Sequence, residues 1–199
     1  MTNDEKLELF KKELNYILDP KIKEYTEKAL CEVPDYFFEV PASSTGKYHP
    51  AYALGNQGLL RHTRSAVRIA VELLNLEMYA PFEEYNGKDL IISALILHDS
   101  YKHGTPKLEF VVAEHPLVAI GQLALNENLK NILPENKTTI LFDNIAHHMG
   151  QFILHPKTKQ PILEKPQTKM QNFVFMCDYL ASRKCIEMNF DVEVTRGNK

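Results

Sequence analysis

Apolar residues recur at helical spacing through most of this chain. Between residues 58 and 76, Leu59, His62, Ala66, Ala70 and Leu73 lie three or four apart, on one helical face. That spacing sets His62 among apolar neighbours. Residues 88–98 are apolar nearly all round, with the run Leu90 to Leu97 interrupted only by Ser93, and read as a helix buried on every side. Residues 168–188 repeat the stripe through Met170, Phe173, Val174, Cys177 and Ala181. Terminal signals set the boundaries. Thr2, with Glu5 three residues on, forms a capping box that opens a helix to about residue 18. Asp19-Pro20 is an N-cap with a first-turn proline, for a helix to about residue 33. Asn86-Gly87 reads as a turn, Pro116 opens a helix to about residue 126, and Gly150 follows a helix over 138–149.

The segments between are polar or rich in breakers. Residues 34–50 carry Pro34, Pro41, Pro50 and Gly46 and read as an irregular but ordered connector. Residues 99–111 form a polar connector, with His103 expected at the surface. Residues 151–167 hold three prolines, with Lys157, Lys159 and Lys165 among them and Lys169 just beyond. A loop of that length usually serves function or is disordered, and its lysines would make a mobile cationic lid. The tail, 189–199, leaves room for one short strand. The expectation is a single all-α domain over 1–199: a helical extension at 1–42, a core at 43–184 and a tail at 185–199.

Composition narrows the class. The chain has 199 residues, enough for one sizeable core. No apolar run is long enough for a membrane span, and the first residues lack a signal core, so a cytoplasmic protein is expected. Cys31, Cys177 and Cys185 are too few for a disulfide framework. A net charge of −3 supplies no global field for polyanions. No protein partner is indicated, and oligomeric state is not legible.

The histidines and aspartates change the picture. His62 lies on one helix, His98-Asp99 end the next, His115 opens a third, His147-His148 end a fourth and Asp178 lies in a fifth. Singly, each has an ordinary explanation: a satisfied core histidine, a histidine favoured at a helix C-terminus, an ion pair of Asp178 with Arg183. Five segments placing them in this order are poorly explained one at a time. Buried together they need partners, since an unpaired buried polar group costs about 1–3 kcal/mol, and a shared metal ion supplies them.

The stretches GLLRHT at His62, ALILHDSYKHG at His98-Asp99, AEHPLVAIG at His115, IAHHMG at His147-His148 and CDYLASRK at Asp178 resemble the HD-domain superfamily of metal-dependent phosphohydrolases. The segment SSTGKYHP, followed by QGLLRHT, is most similar to the HD domain of 3′–5′ exoribonucleases that carry an N-terminal OB-fold. Only some forty residues precede that match, with a helical pattern, where those enzymes hold their single-strand platform. The resemblance implies an HD-type helical bundle around two divalent ions (Mn, Fe, Co, Ni, Zn or Mg). His62, His98, Asp99 and Asp178 would hold the first; Asp99 would bridge to a second completed by His115 and His147. His148 would replace His147 as ligand or touch substrate, with His147 slightly preferred. Asp99 would be central to catalysis by a metal-bridging hydroxide, Lys102 would meet a phosphoryl oxygen, and His49 would protonate the leaving oxygen. Lys102 as a solvated lysine and His49 as a structural hydrogen-bonding residue remain equal alternatives.

Arg61, Arg64 and Arg68 form an i, i+3, i+7 stripe that is either a solvated face or, with Lys157, a contact for substrate phosphates. The expected substrate is a nucleotide or short oligonucleotide. The alternatives are a 3′–5′ exonuclease on single strands, a di-iron oxygenase, and a non-catalytic nucleotide-sensing module.

Overall fold

The computed structural model describes residues 1–197 and contains eight α-helices, with no strand among the described residues. They are α1 Asn3–Leu9, α2 Lys11–Leu14, α3 Pro20–Glu32, α4 Gly58–Leu74, α5 Gly87–Leu97, α6 His115–Leu125, α7 Glu135–Ala146 and α8 Lys169–Ala181. None is long and apolar enough to cross a membrane.

The architecture follows from α5. Every residue of this helix is buried, so it needs neighbours on all sides. α3, α4, α7 and α8 supply them, α4 also packs along α8, and α6 packs on α7. Its one buried carboxylate near the start, Asp89, accepts hydrogen bonds from the backbone N–H groups of Leu18 and Asp19 and pairs with Arg196. The helix that ends in His98-Asp99 is thereby fixed at its opposite end to the start of α3.

The expected capping box of Thr2 with Glu5 forms, and a second, Thr168 with Gln171, opens α8. The continuous first helix expected to residue 18 does not form. The chain bends at Phe10, whose ring stacks on Phe37 at 5.9 Å and meets Phe38 edge-on. Burying that ring favours a bend over one unbroken helix. The short strand allowed for 189–199 is absent over residues 189–197. Those backbone carbonyls are taken by a side chain instead: the buried Arg68 guanidinium donates to Asn189 O, Phe190 O and Val192 O.

Residues 151–167 are organised as a small hairpin rather than an open loop. Ile162 N–H donates to Ile153 O at 2.9 Å, and His155 N–H to Gln160 O at 2.9 Å. The cysteines are unpaired: Cys177 buried, Cys31 half-buried and Cys185 exposed.

Candidate metal centre

Five helices bring their polar ends and faces to one buried place. α4 contributes His62, the end of α5 His98 and Asp99, the first turn of α6 His115, the end of α7 His148, and α8 Asp178. The four histidines and Asp99 are at most 1% exposed, while Asp178 keeps 19% of its side-chain surface. Asp178 Oδ1 lies 2.8 Å from His62 Nε2 and 3.4 Å from His98 Nε2.

Asp99 faces two ways. Its Oδ2 lies 3.4 Å from His98 Nε2 and 3.8 Å from His62 Nε2, while its Oδ1 lies 2.9 Å from His115 Nε2 and 3.6 Å from His148 Nε2.

Three of the histidines are oriented by the same device. His98, His115 and His148 each donate Nδ1–H to the carbonyl three residues earlier: Leu95 O at 2.7 Å, Val112 O at 2.8 Å and Ile145 O at 2.8 Å. Committing Nδ1 as donor leaves Nε2 with a lone pair aimed at the cluster, the tautomer a metal ligand requires.

The arrangement fits a divalent ion. His62, His98 and Asp178 offer donors within 4.8 Å of one another, as do His98, Asp99 and His148. Ligands at about 2.1 Å from a common ion stand about 3–3.5 Å apart, close to the separations here. His98 Nε2 and Asp99 Oδ1 are buried without an aligned hydrogen-bond partner. His115 Nε2 and His148 Nε2 approach to 3.1 Å, although both rings already spend their proton at Nδ1. That separation suits either a shared proton or a cation held between the two rings. Imidazole with carboxylate suits a first-row divalent ion better than Ca²⁺.

No protein-family model, curated protein or solved structure matches the chain.

Electrostatics without an ion follow from burial and proximity. Burial opposes ionising Asp99, but Lys102, His98, His115 and His148 more than offset it and hold the carboxyl well below the usual range. Asp178 is likewise opposed by burial and held well down by His62 and His98. Burial disfavours charge on His98, yet Asp99 and Asp178 lift it to about 10, so a proton stands in for the cation. Burial lowers His148 to about 4.

The remaining candidates divide. Lys102 Nζ sits on Asp99 Oδ2 with 13% of its side chain exposed, at the solvent side of the cluster. The His49 ring stands edge-on to His62 at 5.3 Å, with Nδ1 buried and unpartnered. Burial, then His62 and Lys102, lower its pKa to about 3. The ring is therefore neutral at pH 7, which favours a hydrogen-bonding role over delivery of a proton.

Several expectations are corrected. His147, preferred over His148, points away: α7 ends at Ala146, His147 Nδ1 donates to Asp143 O, and Nε2 faces Glu164 at 3.8 Å. Successive residues near a helix end diverge by about 100°, and His148 takes the inward direction. Gly150 allows this turn with φ +60°, and a Cβ there would lie 2.2 Å from the Phe175 ring. His103 is buried rather than at the surface, donating Nδ1–H to Leu108 O and packing on Tyr36.

The arginine stripe is structural. Arg61 donates to the carbonyls of Tyr52, Leu54 and Asn56. Arg64 and Arg68 share the buried Glu13 carboxylate, and both lie over the Phe190 ring. Neither Arg61 nor Arg64 is free to hold substrate. Lys157 lies outside the cluster, on the hairpin.

Proposed function

We propose that this chain is an HD-domain metallophosphohydrolase that cleaves a phosphoester of a nucleotide or short oligonucleotide. The observation that carries the reading is Asp99, whose two carboxylate oxygens each face a different pair of histidine Nε2 atoms. A carboxylate so placed suits a bridge between two divalent ions. His62, His98 and Asp178 would complete one site, and His115 and His148 the other. Such ions, when bound, lower the pKa of a water and neutralise charge on the phosphoryl oxygens.

The chain's own residues then bind and orient. The carbonyls of Leu95, Val112 and Ile145 keep three imidazoles in the ligating tautomer. Lys102, released from Asp99 once that carboxylate is occupied, would place its ammonium beside a phosphoryl oxygen. His49 would donate or accept a hydrogen bond at the mouth of the site. With the arginines committed to backbone and to Glu13, Lys102 is left as the cation at the site, which favours a substrate with few phosphates over a long backbone gripped at many.

The test is a screen of nucleotides, cyclic nucleotides and oligonucleotides of graded length with Mn²⁺, Fe²⁺, Co²⁺, Ni²⁺, Zn²⁺ or Mg²⁺, scored by release of phosphate or nucleoside. Turnover highest on the shortest substrates is expected. A kcat/KM that climbs with length supports an exonuclease instead. Oxygen uptake confined to the iron form, without phosphoester cleavage, rejects the hydrolase.

A further inference from the structure

Residues 108–114, which lead into His115, and hairpin residues 155–157 line a groove of about 610 Å³. Its lining includes the apolar Leu108, Phe110, Val112 and Pro156 and the charged Glu114 and Lys157. That volume lies within the roughly 300–1,000 Å³ of small-molecule sites. The groove and the metal centre share one stretch of backbone. Val112 O accepts the proton of His115 Nδ1, Val112 N–H donates to Lys102 O at 2.9 Å, and Glu114 immediately precedes His115. The groove is thereby tied through the Val112 backbone to Lys102 and His115.

The lining is unusual for a loop whose flanking histidines are fully packed. Phe110 is 65% exposed and Leu108 54%, an aromatic face and a branched aliphatic left open to solvent. The polar part of the lining is mixed, with Glu109 and Glu114 beside His155 and Lys157. It gathers no cluster of cations for a phosphate and suits a neutral planar group whose N–H donors meet the carboxylates. A nucleobase has that shape and that polarity. It stacks on aromatic side chains through its π-face, and its ring and exocyclic N–H groups donate at the edge.

We propose that this groove is the base-binding half of the substrate site, with the nucleobase stacked on Phe110 and its edge read by Glu109 or Glu114, while the phosphate lies at Lys102 and the cluster. The proposal rests on the phosphohydrolase reading for the position of the phosphate. It does not need that reading for the base to bind.

Two measurements on the metal-loaded full chain separate them. The first is binding of adenosine, guanosine, cytidine and uridine by ligand-observed NMR, for the native protein, Phe110→Ala and Phe110→Trp. The second is kcat/KM for nucleoside 5′-monophosphates relative to ribose 5-phosphate, which has no base. Phe110→Ala is expected to weaken nucleoside binding and to lower the nucleotide-to-ribose-phosphate ratio about tenfold, within the range of one base–aromatic stack. Phe110→Trp restores both. Because Phe110 is exposed, far-UV circular dichroism of the variants should match the native protein.

Nucleoside binding that persists undiminished in Phe110→Ala overturns the inference, whether or not phosphoesters are cleaved. Nucleoside binding that depends on Phe110, in a protein that cleaves no phosphoester, upholds the groove and rejects the hydrolase. A change in sedimentation coefficient in Phe110→Ala, without nucleoside binding, marks the patch as a contact between copies of this chain and overturns it too.

Discussion

Replacing Asp99 by Asn keeps the shape of the side chain and removes its charge, which isolates what the carboxylate does. In the metal-free protein, Asp99 balances Lys102 and the raised His98, all within 3.4 Å. Removing one partner of a buried charge pair costs about 3–5 kcal/mol, so Asp99→Asn without metal should melt lower than the native chain. The more telling quantity is the stabilisation gained on adding metal. A divalent ion at a hundred times its Kd stabilises the folded state by about 2.7 kcal/mol. For a chain of this size, each kcal/mol moves Tm by about 2–4 °C, which gives a rise of about 5–11 °C. Asn is a poor ligand for a transition metal, and both halves of the cluster look to Asp99. The variant should therefore lose most of that rise. The assay is thermal unfolding followed at a helical wavelength, with and without Mn²⁺ or Co²⁺, alongside elemental analysis. Asp143→Asn, at an exposed site on α7, controls for general effects and should keep the full shift. If Asp99→Asn gains as much from metal as the native protein, Asp99 is not a ligand and the reasoning fails.

Two further outcomes follow from the same geometry. His148→Gln should cut bound metal at least tenfold while His147→Gln leaves it near the native level, measured by elemental analysis after dialysis; the reverse order would reinstate His147. For the metal-free protein, His148 at about 4 and His49 at about 3 both lie below the unfolded value of about 6.5, so the unfolded chain binds protons that the folded one refuses. Their contribution to stability is present above pH 6.5 and is lost as pH falls toward 4, at up to about 1.4 kcal/mol per pH unit for each group. A Tm that stays flat from pH 6.5 to 4.5 would refute this, and His49→Asn should make the slope shallower.

The all-helical class, the Thr2–Glu5 capping box, the Asp19-Pro20 start and the fully buried α5 were legible in the sequence, because each depends on neighbours within a few residues. So was the set of candidate metal-ligand residues, whereas the carbonyls that orient three histidines emerged only in the structure. What the sequence left open depended on partners far along the chain. The choice between His147 and His148 depended on how α7 ends against α8, where the Phe175 ring leaves room only for glycine at position 150. The bend at Phe10 came from rings at Phe37 and Phe38. The arginines looked like a free basic stripe because nothing near them in sequence reveals the carbonyls of residues 189–192 or the buried Glu13. A periodic pattern reports which way a side chain points, whereas the group it meets there is decided only when distant segments pack, and at this site that packing separates candidate ligands from bystanders.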